Sequence, residues 1–354
     1  MLGCGFSYEA GVAGSLRDAA SQAWPPFVLV AGLLMIGAVA DADGMFAALG
    51  ARAERLRCGS VALLAALLAL EAAVTAVLNL DTAVVFVTPI LLHAARRRNC
   101  DERPFLYGAL LMANGASLLL PGSNLTNLIV LAHEHSSGTA FARAMVLPWL
   151  LVVALTISFV AMVFRPRAGE RAAVSVPPLR LGIGLVATLA AAALVLALGN
   201  AALPVLGVGL IAVAARRVRP HFDAPVLAGL FVLAVALGTL ARRWDWPASL
   251  AGRLGGIGAA VLGAGAAIAV NNLPASALLA AHRPPHALPL LIGLNLGPNL
   301  AFSGSLSAYL WWRTARSAGA RPSLLTLSAL GVILVPLTIA AALASLALVD
   351  PGAL

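Results

Sequence analysis

Charged side chains are scarce in this sequence: they make up 10% of its 354 residues, while 61% of the residues are hydrophobic. A soluble domain carries about 25% charged residues, so the composition excludes an ordinary soluble protein. The mean hydropathy of +0.96 agrees with many apolar segments. The sequence therefore predicts an integral membrane protein that lies in a lipid bilayer and crosses it several times.

Lysine is absent, and all 23 basic residues are arginine. These arginines lie between the apolar runs and do not form one stripe, so the net charge of +9 does not indicate a nucleic-acid partner. Cysteine is also rare. Cys4, Cys58 and Cys100 have no metal-ligand spacing and provide no disulfide framework.

Histidines lie only at the ends of the apolar runs, which argues against an intramembrane enzyme. His133-Glu134-His135 looks like a metal cluster, but alternation at a helix end points its members apart, and we interpret it as a solvated loop. We expect no catalytic residue, no bound metal and no cofactor. The ion required would be a coupling ion, H⁺ or Na⁺.

Apolar runs occur at about 25–49, 59–93, 105–132, 142–164, 179–198, 201–215, 224–241, 254–281, 287–312 and 323–349. The run 105–132 contains Pro121-Gly122-Ser123-Asn124-Leu125-Thr126-Asn127 near its middle. Unpaired backbone groups in hydrocarbon cost several kcal/mol each, so this stretch predicts a helix broken inside the membrane and facing a cavity. The alternative is a Pro-kinked helix whose polar groups bond a neighbouring helix.

The remaining interruptions complete a pattern. Run 59–93 is broken at 78–82 and run 254–281 at 270–274, and each predicts a re-entrant hairpin. Run 287–312 is broken at 295–299 and again at 303–307, which predicts a second broken helix. Each half therefore consists of a hairpin, a loop and a broken helix, as in the internal repeats of secondary transporters.

Arginine placement orients the two halves. If the hairpins re-enter and the broken helices cross once, most arginines lie on one side, including Arg52, Arg96, Arg97, Arg98, Arg216, Arg313 and Arg316. That side is predicted to be cytoplasmic, and both chain termini then lie outside. The halves are thereby inverted. We divide the chain into an N-terminal segment 1–24, a first repeat 25–164, connecting helices 165–222 and a second, inverted repeat 223–354.

Asp81 is the first candidate for ion coupling. A carboxyl buried at a hairpin tip is pushed towards its neutral form and could exchange a proton near neutral pH. If ionised, it could hold Na⁺ together with Asn79 and the backbone carbonyls of the tip. Alternatively, Asp81 is the N-cap of the second half-helix. Glu71 is also intramembrane, and we interpret it as facing protein or the aqueous side, because nothing in the pattern pairs with it.

The ordered motifs resemble one transporter group. They are Asn79-Leu80-Asp81-Thr82, Phe86-Val87-Thr88-Pro89, the 121–127 stretch, Asn271-Asn272-Leu273-Pro274, Leu296-Gly297-Pro298-Asn299 and Gly304-Ser305-Leu306. This set resembles the arsenite efflux permeases and sodium/proton antiporters of the ion transporter superfamily, which also includes citrate and divalent anion carriers. The resemblance covers residues 25 to about 316.

The resemblance implies two re-entrant hairpins and two broken helices around one central site, a homodimer, and elevator-like alternating access. It is also compatible with a soluble ATPase subunit as a partner. One half-site would contain Asn79, Asp81 and Thr82 with Ser123, Asn124 and Thr126. The other would contain Asn271, Asn272, Gly304, Ser305 and Ser307. Asn127 and Asn299 are further candidates for binding, because their uncharged amides lie in the same breaks.

We therefore predict a secondary transporter of the plasma (inner) membrane that exports arsenite or antimonite in exchange for protons. Arsenite at neutral pH is a small neutral hydroxylated molecule, which suits a site of Ser, Asn and Thr without basic residues. The alternative is a Na⁺/H⁺ antiporter or a Na⁺-coupled carrier of dicarboxylates or inorganic anions. The predicted substrate is thus either a neutral metalloid hydroxide or a small inorganic or organic anion.

Overall fold

The computed structural model describes residues 3–54, 59–132, 137–166, 182–198, 200–220, 224–244, 246–350 and 352, and these residues form helices and no strand. Cys58 and the predicted solvated loop His133-Glu134-His135 lie outside the described residues. The part of the chain up to residue 166 contains seven helices: α1 (Gly3–Ala42), α2 (Met45–Glu54), α3 (Ser60–Val77), α4 (Leu80–Arg97), α5 (Arg103–Ala116), α6 (Leu125–Leu131) and α7 (Gly138–Phe164).

The described remainder continues with α8 (Ile183–Ala197), α9 (Ala202–Arg216), α10 (Ala224–Arg243), α11 (Trp246–Arg253), α12 (Gly255–Val270), α13 (Asn272–Leu279), α14 (Ala287–Leu296), α15 (Leu306–Ser317) and α16 (Leu324–Val349). Short 3₁₀ turns interrupt the two broken segments. The turn Pro121–Ser123 lies between α5 and α6, and the turns Gly297–Leu300 and Phe302–Gly304 lie between α14 and α15.

Within the described residues, five segments are long and apolar enough to cross a bilayer: Gly14–Ala42, Ser60–Val77, Gly138–Phe164, Pro225–Arg243 and Leu324–Val349. The prediction of an all-α polytopic membrane protein is confirmed. All of the predicted interruptions fall at helix ends. Each apolar run that looked too long for one span is divided where Asn, Asp, Ser or Pro residues occur.

Helix α1 starts earlier than the sequence indicated. It is continuous from Gly3, and Pro25 and Pro26, where we expected the first helix to begin, lie inside it. α1 packs against α8, α9 and α10. Its contact with α9 depends on a small residue, because a Cβ at Gly32 would lie 2.8 Å from the backbone nitrogen of Leu206.

The two halves of the chain exchange packing partners. Helix α4, after the first interruption, packs against α15, which follows the second broken segment. Helix α13, after the interruption at Asn271, packs against α6, which follows the first broken segment. Each half therefore completes its packing with the other. The first two interruptions are buried, whereas the break at Val270–Asn271 and Ser303 reach the surface.

The contact between α12 and α14 provides a test of this packing. A Cβ at Gly293 would lie 1.9 Å from the carbonyl oxygen of Ala260, whereas a Cβ at Gly265, on the exposed face of α12, meets nothing within 4 Å. We expect Gly293→Ala to lower the free energy of unfolding by about 1–3 kcal/mol, because the helix backbones must separate. Gly265→Ala, the matched control, should leave it unchanged or slightly raised. Thermal unfolding in detergent measures both, and equal midpoints for the two variants would contradict the packing.

Candidate functional site

Four half-helices in the interior each begin at a side-chain cap. The caps are Asn79 on α4, Asn124 on α6, Asn271 on α13 and Ser305 on α15. The capping oxygens accept backbone N–H groups at 2.6, 3.1, 3.3 and 3.3 Å, in that order. A helix N-terminus carries a partial positive charge, so the four ends give the interior a positive bias without a basic side chain.

Asn295, at the end of α14, joins the two broken segments. Its Nδ2 donates to Asn127 Oδ1 at 2.7 Å, and its Oδ1 accepts from Ser117 Oγ at 3.0 Å. The same Oδ1 also accepts from Asn124 Nδ2. All four side chains are buried, with exposed fractions of 3% or less. This buried network therefore holds the break between α5 and α6 against the end of α14.

A second bridge lies beside the first. Asn114 Nδ2 donates to Asn299 Oδ1 at 2.8 Å, and Asn299 Nδ2 donates to the carbonyl oxygen of Leu111 at 3.1 Å. Sequence reasoning included Asn299 in the site but omitted Asn114, Ser117 and Asn295. Their signal was present in the sequence, since each is a polar residue within an otherwise apolar helical run.

Two of the predicted site residues serve the unwound backbone. The single hydroxyl proton of Ser123 is shared between the carbonyl oxygens of Ser117 and Leu120. Asn127 Nδ2 donates to the same two carbonyls at 2.8 and 3.1 Å. These bonds satisfy acceptors that the helix leaves open where it stops. Thr126 differs, because its hydroxyl is buried and has no hydrogen-bond partner.

Asp81 connects the first interruption to the second broken segment. Its Oδ1 accepts from Ser307 Oγ at 2.7 Å, and the carboxyl is 4% exposed. The alternative that Asp81 caps the half-helix is wrong: Asn79 is the cap, and Asp81 lies in the first turn. The hydroxyl of Thr82, one residue on, is buried and has no partner.

The second hairpin-like segment also contacts the 3₁₀ turns between α14 and α15. Asn271 Nδ2 donates to the carbonyl oxygen of Ser303 at 3.1 Å, and Ser303 Oγ donates to that of Ile268 at 3.1 Å. Asn272 is buried in the first turn of α13. Gly304 is buried as well, and a Cβ there would lie 2.6 Å from Pro298 Cα, so glycine is needed for close approach. The segment from α14 to α15 thus contacts all three other interruptions.

Two cavities flank this region. The Arg242 cavity has a volume of about 960 Å³ and is lined by Asp18, Gln22, Pro121, Arg242 and His282, among others. The Arg313 cavity has a volume of about 650 Å³ and is lined by Asp81, Pro89, Leu306, Leu310 and Arg313, among others. Helix α10 lines both, through Arg242 at its end and through Val226 and Leu227 near its start. At 1.5 Å per residue these positions are about 24 Å apart, so the cavities lie towards opposite ends of α10.

An apolar cluster lies where α1, α6, α10 and α13 meet, and it consists of Val30, Leu125, Ile129, Ala234, Leu273 and Ala277. On α1, Leu29 lines the Arg242 cavity and Leu34 lines the Arg313 cavity, so Val30 falls between the two. Gln22 holds one side of this junction. Its Nε2 donates to the carbonyl oxygens of Ile129 and Ala280 at 3.1 and 2.8 Å, and its Oε1 accepts from Arg242 Nη2.

These features define a polytopic membrane protein with helices interrupted in its interior and a cavity towards each end, which is the construction of a secondary transporter. A family model described as citrate transporter, CitMHS, matches residues 7–302. The chain belongs to this citrate transporter family. No curated protein matches the chain.

The Asn295 network makes a graded prediction. Asn295→Ala would remove the bonds to Ser117, Asn124 and Asn127 together and would leave Asn127 Oδ1 without its donor, and a buried unsatisfied group costs about 1–3 kcal/mol. Asn114→Ala would remove a single bridge to Asn299. We expect the Asn295 variant to have the lower unfolding midpoint in detergent and the larger loss of transport. The reverse order would contradict the assignment of Asn295 as the main connection between the broken segments.

Proposed function

We propose that this protein is a proton-coupled secondary carrier of citrate or a related organic anion. The observation that carries the proposal is the contact of Asp81 with Ser307, which joins the two halves of the chain and lies at the wall of the Arg313 cavity. An ionised carboxyl accepts hydrogen bonds only, and a protonated one also donates. Proton binding to Asp81 would therefore alter the contact between the halves, which is the coupling that a proton-driven carrier needs.

Several features support an anionic substrate. The family described by the matching model is one of citrate transporters. The four capped half-helix ends offer backbone N–H groups and partial positive charge to a carboxylate. An arginine lines each cavity, Arg242 in one and Arg313 in the other, and would attract anions from either end. Within this proposal, the site residues predicted from the sequence, of which Asn79 is the first and Ser307 the last, bind the substrate or the coupling ion.

A second candidate substrate is the neutral metalloid hydroxide arsenite or antimonite. It is favoured by the uncharged caps and by the uncharged hydroxyls and amides described around the breaks. Among the predicted site residues, only Asp81 can carry a charge.

Na⁺ is the corresponding alternative to the proton as coupling ion. It is supported by the buried, unpartnered hydroxyl oxygens of Thr82 and Thr126, since oxygen atoms are the ligands of hard cations.

The inverted-repeat architecture belongs to the same proposal. It is supported by the reciprocal packing of α4 on α15 and of α13 on α6. With the predicted orientation in the inner membrane, the Arg313 cavity opens towards the arginine-rich cytoplasmic side and the Arg242 cavity towards the outside. Asp81 would then exchange protons with the cytoplasm in the conformation described. We further propose a homodimer that works by alternating access.

The first functional prediction concerns Asp81. Asp81→Asn should reduce pH-gradient-driven citrate uptake into proteoliposomes to background and leave the protein folded, because the amide cannot carry the proton. Asp101→Asn is the matched control. Asp101 lies in the loop between α4 and α5, and the side-chain hydrogen bond from Arg103 holds the pKa of its carboxyl below the usual value, so it stays ionised throughout the assay range. Wild-type activity and unchanged pH dependence in the Asp81 variant would contradict the coupling role.

Substrate choice is tested separately. Purified wild-type protein in proteoliposomes should accumulate radiolabelled citrate or a related tricarboxylate under an imposed pH gradient, and arsenite should neither be transported nor compete. Repeating the assay with a Na⁺ gradient at constant pH separates the two coupling ions. Transport of arsenite without transport of citrate would replace the first candidate by the second.

A further inference from the structure

Glu71 is a buried carboxyl that the proposed mechanism does not use. It lies in the middle of α3, is 0% exposed, and neither Oε1 nor Oε2 has a hydrogen-bond partner. Of the two surroundings expected for Glu71, protein or the aqueous side, the structure shows protein. Glu71 lies on the buried stripe of the helix, with Leu67, Leu68 and Thr75 as neighbours along it.

An ionised carboxylate in such surroundings is costly, because burial removes its hydration and no protein partner replaces the lost water. The elements that pack against α3 are α2, α4, α5, α7, α8 and the turn Pro121–Ser123. The described charged and titratable side chains on these elements are Arg52, Asp81, His93, Arg96, Arg97, Arg103, Tyr107 and Arg143. None of them pairs with Glu71, whose oxygens have no partner. These surroundings therefore favour the neutral form of the carboxyl over the ionised one.

A row of polar groups leads from Glu71 to the first interruption. Thr75 is one helical turn further along α3, and its buried hydroxyl has no partner. Asn79 comes two residues after the last residue of α3, and its Nδ2 is likewise buried and unpartnered. Side chains four residues apart lie on the same helix face and point towards its N-terminus, so Thr75 is directed towards Glu71. Glu71 and Thr75 are about 6 Å apart along the axis of α3, and Asn79 comes two residues before Asp81.

We propose that Glu71 is a second proton-binding site of the transport cycle, linked to the Asp81 break by Thr75 and Asn79. This inference rests on the proposed function, since it assigns the protein two coupled protons. In the conformation described, the proton on Glu71 is retained. Movement of α3 or of the break would admit water beside Thr75 and Asn79, and this water would accept the proton from Glu71 and leave its carboxylate ionised.

The test measures the carboxyl directly. Infrared difference spectra of the reconstituted protein, recorded with and without citrate, should contain the carbonyl band of a neutral carboxyl that disappears in Glu71→Gln. Glu102→Gln is the control, because Glu102 is a half-exposed residue paired with Arg96 outside the bundle. Thr75→Val should keep the band, because the Thr75 hydroxyl makes no hydrogen bond to Glu71 in the conformation described.

Transport stoichiometry gives a second readout in the same proteoliposomes. Glu71→Gln should still exchange citrate, but one fewer coupled proton should lower steady-state accumulation about tenfold at a gradient of one pH unit. Suppose that the wild type transports citrate with proton coupling. If Glu71→Gln then has the same accumulation and the same infrared band as the wild type, the role of Glu71 is wrong and the proposed function stands. Absence of proton-coupled citrate transport by the wild type would instead overturn the proposed function. A Glu71-dependent response to Na⁺ at constant pH would also overturn the inference, because the site would then bind a metal cation.

Discussion

The structure depends on one requirement of the hydrocarbon environment, that every backbone N–H and carbonyl group find a partner within the protein. A helix that stops inside the membrane exposes such groups at both of its new ends. Asparagine and serine side chains supply the missing partners here. Asn79, Asn124, Asn271 and Ser305 close the new N-termini, and Ser123 and Asn127 close the carbonyls of the first unwound turn. The same residues that make the interior polar also make the breaks stable.

The segment from α14 to α15 has a central position among the breaks. Asn295 and Asn299 join it to the broken helix formed by α5 and α6. Ser307 joins it to the break between α3 and α4, and Ser303 joins it to the break between α12 and α13. A change in any one break is therefore transmitted to this segment by a direct hydrogen bond. If Asp81 binds the coupling proton, as proposed, its hydrogen bond with Ser307 connects that proton directly to this segment.

The location of the breaks could be read from the sequence, because a polar or Pro-Gly stretch in an apolar run has few acceptable structures in a bilayer. The partners of the polar residues could not. Asn295 pairs with residues far away in sequence, and only the packing of the two halves determines which amides meet. The alternative that Asp81 caps α4 is wrong because the helix starts one residue after Asn79. Asp81 therefore lies inside the first turn of the helix. The lack of a partner for Glu71 agrees with the sequence, in which nothing pairs with it, whereas its complete burial depends on packing that a helical pattern does not reveal.

The amide of Gln22 has a mechanical consequence. One side chain on α1 donates to the last turn of α6 and to the end of α13, and these two half-helices come from different halves of the chain. Neither can slide along α1 while the other remains attached without breaking a bond to that shared amide. Gln22 is therefore a common anchor of the two halves: a displacement of either half-helix along α1 costs one hydrogen bond to the same side chain.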